Sequence, residues 1–154
     1  LSATFSKTIR IEQAAGLESG VIPDAQLSAS SFLTTGFETF RGRLNRAGNS
    51  WSYDPTDLNP HFQVDLGQIE IVSAVASQGR ENFDQWVTSY SIQYSNDNVN
   101  FTDYNGAQVF TANNDRNTIV RNDFSPTISA RYIRFIPLTF NDRISARFEV
   151  YILR

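Results

Sequence analysis

Groups able to do covalent chemistry are few in this chain. It has one histidine, His61, no cysteine, and no Gly-x-Ser-x-Gly turn to raise a serine nucleophile. With 16 acidic residues, a close pair such as Asp54 and Asp57 arises from number alone and does not mark acid–base catalysis. His61 precedes an alternating apolar segment and reads as a solvated or structural histidine, not a catalytic one. The remaining residue types suit noncovalent recognition. Residues 31–60 run without a period, are rich in Ser, Thr, Gly, Asn and Asp, and carry Phe32, Phe37, Phe40, Trp51 and Tyr53. Residues 79–85, Gly-Arg-Glu-Asn-Phe-Asp-Gln, repeat the mixture, with Phe83 as the lone apolar residue in a polar run. Long aperiodic segments inside a compact chain are usually functional loops. We therefore expect a binding protein, not an enzyme.

The charge balance narrows the partners. Thirteen basic residues stand against 16 acidic ones, net −3, which argues against a nucleic-acid ligand whose affinity comes from phosphate neutralisation. Lys7 is the only lysine and the other basic residues are arginines. Guanidinium forks suit carboxylates, phosphates and sugar hydroxyls. Redox compartment cannot be read without cysteine, and Asn100-Phe101-Thr102 matches the N-glycosylation acceptor pattern.

The elements that must position these loops read as strands. Phe62-Gln63-Val64-Asp65-Leu66 alternates before Gly67. Trp86, Thr88, Tyr90, Ile92 and Tyr94 form one face of another strand. Ile133 and Phe135 oppose Tyr132, Arg134 and Ile136, and Phe148, Val150 and Ile152 alternate with Arg147, Glu149 and Tyr151. Turn signals fall between them at 95–98, Asn105-Gly106, 112–117 and Ser125-Pro126. A length of 154 residues with 40% hydrophobic content fits one globular domain, 1–154, and no apolar run is long enough to span a membrane. Leu1 reads as a mature start, not a signal peptide, and residues 1–13 as an N-terminal extension or first edge strand.

Successive blocks, LESGVIPDAQLSASS, FRGRLN, FQVDLG, VASQGRENFDQWVTSYSIQYSNDNVNFTDY, NNDRNTIVRNDFSPTISARYIRFIPLTF and ISARFEVY, resemble the discoidin domain, also called the coagulation factor V/VIII type C domain, over roughly residues 14–153. The resemblance implies an all-β, antiparallel jelly-roll β-sandwich, galactose-binding-domain-like, with ligand loops clustered at one end. It also implies a non-catalytic extracellular module, secreted or at the cell surface. Family ligands include galactose-type sugars, phosphatidylserine membranes, collagen and peptide termini. The disulfide that joins the chain ends in many members falls here on Ile11 and Leu153, for which an apolar contact is the expected substitute.

The resemblance places the ligand loops at about 31–40, 45–60 and 79–85. For a phospholipid surface the spikes are Leu33, Phe37 and Phe83, with Arg43, Arg46 and Arg80 behind them. For a galactose-type glycan, Phe37, Tyr53 or Phe83 offers an aromatic face, and Asp54, Asp57, Arg80, Asn82 and Asp84 meet hydroxyls. Asp54 and Asp57 with backbone carbonyls also leave calcium open, although no calcium-loop pattern is present. Trp51 is read as core. Three spikes and two arginines would contribute about 6 kcal/mol, a dissociation constant of tens of micromolar, so a tandem or oligomeric assembly is expected. A lectin-like adhesion module binding a cell-surface glycan is the first reading. An anionic membrane is the second, and a protein or collagen partner the third. Phe83 is expected to stand exposed near Leu33 or Phe37.

Overall fold

A computed structural model describes residue 4 and residues 7–154, so part of the expected 1–13 extension lies outside the described residues. Among the described residues nine strands follow in order: β1 Glu12–Ala14, β2 Leu27–Ala29, β3 Trp51–Ser52, β4 Phe62–Gln78, β5 Trp86–Ser95, β6 Thr102–Asp103, β7 Phe110–Thr111, β8 Val120–Asn141 and β9 Ser145–Leu153. Helix among the described residues is limited to two short 3-10 turns, Asp24–Gln26 and Thr39–Arg41. Every strand pair is antiparallel.

β4 and β8 are long enough to serve two layers. In one layer, residues 62–65 of β4 lie between β2 and residues 132–135 of β8, and residues 132–141 of β8 pair with β5. In the other, residues 70–78 of β4 lie between residues 120–130 of β8 and β9, with β1 on the far side of β9. The register breaks between Asp65 and Glu70, where the sheet curls. Gly67 adopts φ +83° there, a conformation that costs glycine little, and its N–H donates to the Asp65 carboxylate at 2.8 Å. The two inner faces meet through rings: Phe148 stacks on Phe135 at 4.0 Å and tilts against Phe62 at 4.9 Å, and Trp51 packs edge-on to Phe62 at 5.4 Å. This is the jelly-roll sandwich the sequence implies, and Trp51 is core in it, its indole N–H donating to the Ser31 carbonyl.

Two local expectations need correction, and two buried polar residues add to what alternation shows. The simple alternation in β5 fails because register shifts on either side of Ser89 displace the pleat, so Val87, Tyr90 and Ile92 are the buried apolar residues and Trp86 stays half-buried. In β9, Arg147 and Glu149 are as buried as the apolar residues that alternate with them, because loops cover the outer face. Finally, the chain ends meet, but not through an apolar staple. Ile11 and Arg154 exchange backbone hydrogen bonds of 2.7 and 3.1 Å, one step from the Glu12–Leu153 pair. Neighbouring residues on a strand point to opposite faces, so Ile11 and Leu153 cannot stack, and Ile11 is 69% exposed.

Two substitutions test this arrangement. Phe148→Ala, which removes the ring shared by both layers, is expected to lower unfolding free energy by about 3–5 kcal/mol in urea titrations. Ile11→Ser, at the ends, is expected to stay within about 0.5 kcal/mol of the parent; a loss as large as that of a missing disulfide would restore the staple.

Candidate ligand-binding site

The loops at one end are fixed from beneath by Arg147, 2% exposed on the outer face of β9. Its Nε donates to the Gly79 carbonyl at 2.7 Å, one terminal nitrogen to the Arg46 carbonyl at 2.9 Å, and the other to the Arg116 carbonyl and the Asn117 side chain at 2.8 and 2.9 Å. Burial pushes this guanidinium below its usual value, while Glu81 acts the other way. One cation thus pins three loops. Gly79 leaves no room for a side chain, since a Cβ there would meet the Asp115 carbonyl at 2.7 Å and the Trp86 Cβ at 2.8 Å. The following turn is closed by Arg80 N–H to Gln85 C=O at 2.9 Å and Gln85 N–H to Phe83 C=O at 2.8 Å. Glu81 ties it to the second loop by accepting from the Gly48 N–H.

Above this base, Arg80 organises the surface. Its guanidinium lies over the Phe37 ring at 4.8 Å and over the Phe83 ring at 5.3 Å. Nε donates to Asn82 at 2.7 Å, and the terminal nitrogens donate to Gln85 and Asn49 at 3.1 and 2.8 Å. Asn82 also donates to the Asn49 oxygen at 3.1 Å. Burial, then Arg143 and Arg116, hold Arg80 below the usual arginine value, although it remains a cation. Phe83 is 50% exposed, whereas Phe37 is half-buried under the guanidinium. The lone phenylalanine of the polar loop therefore has a partner, Arg80, and an open surface.

Other expected site residues lie elsewhere or are already occupied. Arg43 is buried, donating to the Leu17 carbonyl and the Asp24 carboxylate at 2.8 and 2.7 Å, so it braces the N-terminal loop and cannot reach a ligand. Arg46 folds over Phe40 at 5.3 Å, and its shielded Nε has no acceptor among the described residues. Leu33 is half-buried, its N–H bound to the Ser52 carbonyl. Tyr53 packs against Phe140 at 6.0 Å. Asp84 joins the rim through an ion pair with Arg116 at 2.7 Å.

Asp54 and Asp57 build their own loop. Asp54 is held below the usual carboxylate range by the Thr56 N–H, then by the Thr56 hydroxyl. Burial would raise Asp57, but hydrogen bonds from Ser30, Ser31 and the Asn59 N–H outweigh it. With one oxygen of Asp57 taken by two hydroxyls and the other by Asn59, the pair does not fit a calcium site, and no cluster of three acidic or histidine ligands occurs among the described residues.

The structure adds residues that loop composition alone did not single out. Gln85 is buried, accepts from Arg80 and Ser145, and donates to Asp142 at 2.8 Å. Asn141 donates to the Asp84 carbonyl at 2.9 Å. A signal existed for these: Asn-Asp-Arg occurs twice, at 114–116 and 141–143, and both copies flank the 79–85 turn. The assembled surface offers one aromatic face beside fixed amide and guanidinium groups.

Comparison with known proteins agrees with the fold and shows the family. The F5/8 type C domain model matches residues 26–150. Discoidin-2 of Dictyostelium discoideum is 43% identical over 104 residues, covering 68% of this chain and 40% of that protein. Mouse lactadherin is 35% identical over 148 residues, covering 88% of this chain and 32% of its own length. The chain thus spans less than half of either relative. A solved structure of D. discoideum discoidin II superposes with a TM-score of 0.78 at 35% identity, covering 83% of this chain and 55% of that one.

Two outcomes are expected. Arg147→Met leaves three loop carbonyls without their donor; at about 1–3 kcal/mol for each buried unsatisfied group, the loss should reach about 3 kcal/mol or more. Hydrogen exchange should rise in 45–48, 79–85 and 116–117; unchanged exchange there would show that the loops do not depend on it. His61 gives the pH test. Burial, then Arg134, hold its imidazole below 6.5, so the unfolded chain binds the proton more readily. Its stability increment is therefore present above about pH 6.5 and lost as pH falls through that value toward the lower folded one. His61→Gln should flatten the pH 7 to 5 slope of unfolding free energy, and an unchanged slope would remove His61 as its source.

Proposed function

The chain belongs to the F5/8 type C, or discoidin, domain family, and on that premise we propose that it is a non-catalytic extracellular recognition module binding galactose-type glycans. The observation that carries this reading is the fixed Arg80 between Phe37 and Phe83, with Asn49 and Asn82 bonded around it. A sugar presents a C–H patch to an aromatic face and hydroxyls to planar donors and acceptors, and Phe83 stands beside both kinds of group. Three of the five guanidinium N–H groups of Arg80 are bound within the protein, which leaves two for a ligand.

The geometry supports a bilayer less well. Of the three expected spikes, Leu33 is half-buried and Phe37 is covered by Arg80, which leaves Phe83. Phe32, 48% exposed in the 31–40 loop, adds a second ring, and two rings at about 1.5–3 kcal/mol each on full burial give one copy only a weak hold on a membrane. Arg43 and Arg46, expected behind the spikes, are used by the fold. A shallow site of this kind is weak in one copy, so function on a cell surface would rest on several linked copies.

A glycan array beside phosphatidylserine liposomes separates the readings. Phe83→Ala and Arg80→Lys should each weaken glycan binding by about tenfold or more, with little dependence on salt. Salt-sensitive liposome binding that Phe83→Ala abolishes, together with a blank array, would replace the glycan with a membrane.

A further inference from the structure

A groove of about 380 Å³, sharing no lining residue with the Arg80 surface, runs between the 58–61 segment, at the end of the second loop, and the outer face of the sheet. Its floor carries Arg134, whose guanidinium stacks on Phe101 at 3.6 Å and whose Nε donates to Gln63 at 2.7 Å. No carboxylate among the described residues pairs with it, and its terminal nitrogens make no hydrogen bond there. His61 lies in the same groove and feels the Arg134 cation. The other charge acting on His61 is Asp57, whose oxygens are taken by Ser30, Ser31 and Asn59. The guanidinium thus lies beside an imidazole, and neither Asp57, whose charge reaches His61, nor Asp103, which accepts from Gln93 at 2.9 Å, pairs with it.

Apolar groups form the rim. Leu58 is 89% exposed, and Leu138 stands out because it is the extra residue of a bulge: Pro137 pairs with Tyr90 while Thr139 pairs with the adjacent Ser89. Asn59 and Gln93 add amide groups to the lining. We propose that this groove, lined by Leu58, Asn59, His61, Gln93, Arg134 and Leu138, is a second binding site that takes a short acidic peptide segment. The peptide carboxylate meets the free edge of Arg134, where a guanidinium makes two parallel hydrogen bonds. An apolar side chain next to the acid covers Leu58 and Leu138, and the amides receive peptide groups. Inorganic anions would use Arg134 but leave the leucines in water. The site shares no lining residue with the Arg80 surface, so one chain could hold a glycan and a protein partner at once.

The test is a ¹H–¹⁵N NMR titration of the full chain with acetylated, amidated Gly-Leu-Glu-Leu-Gly, its Gln analogue, sodium sulfate and sodium octanoate. The Glu peptide is expected to shift resonances of 58–61, 93 and 134–138, to leave 80–85 unmoved, and to raise the pH at which His61 titrates. The Gln analogue and Arg134→Gln should each bind about tenfold more weakly. Because Arg134 also supports Phe101 and Gln63, Leu58→Asp serves as the second variant; its exposed side chain contributes nothing to packing, and it too should lose the peptide. Equal binding of the Glu and Gln peptides would overturn the proposal. So would identical shifts from sulfate or octanoate alone, or no shift at low-millimolar peptide.

Discussion

The buried guanidinium of Arg147 is the constraint on which the loop end depends. A charge removed from water needs dense compensation, and here it comes from three backbone carbonyls and one amide instead of a carboxylate. Those carbonyls belong to three loops that have no regular hydrogen-bonding pattern of their own. A lysine could not replace it, because a point charge on a flexible stem lacks the planar spread of donors that sets three loops at once. Gly79, whose carbonyl it holds, immediately precedes Arg80, so the anchoring of one arginine sets the departure point of the other. Glu149, two residues on and also buried, does the matching task at the N-terminal loop by accepting from the N–H groups of Gly16, Leu17 and Glu18.

This explains where the sequence was readable and where it was not. Alternation located the strand at 62–66 and the Ile133, Phe135, Phe148, Val150 and Ile152 face, because burial on one side of a pleat leaves a period-two record. It left the surroundings of Arg147 and Glu149 open, because polar residues at outward positions look alike whether water or a loop covers them. Only the fold says which. Arg43 failed in the same way, since its partners, Leu17 and Asp24, lie far back in the chain. The bulges in β5 and β8 left no pattern, because one extra residue changes facing without changing composition. The loops at 31–60 and 79–85 were legible as loops from their lack of period, but not the contacts between them.

The excess of arginine over lysine now has a structural reading. Arg41 and Arg46 both lie over Phe40, Arg80 lies over Phe37 and Phe83, and Arg121, Arg131 and Arg134 lie over Tyr151, Tyr132 and Phe101. A guanidinium can stack its face on a ring and still donate in plane, so each pair orients a side chain without a dedicated strand or helix. In a protein whose irregular segments are long, such pairs supply the side-chain rigidity that regular structure would otherwise provide. Phe83 belongs to this set. It is held by Arg80 from one side and remains half in water on the other.

That mode of fixing side chains bears on what the loop end can recognise. A bilayer accepts spikes of loose geometry, since apolar depth is what it rewards and lateral position matters little. A sugar demands the reverse: little apolar area, and several polar groups whose spacing is set before the ligand arrives, because each group ordered on binding costs affinity. Here Arg80, Asn82 and Asn49 are bonded to one another, Gln85 links them to Ser145 of β9, and Arg147 anchors the backbone below. The surface is therefore rich in preset polar geometry, with Phe32 and Phe83 as its half-exposed rings. Preorganisation of this kind adds little to membrane adsorption and much to recognition of a small polar ring, and it is this contrast on which the proposed glycan reading rests.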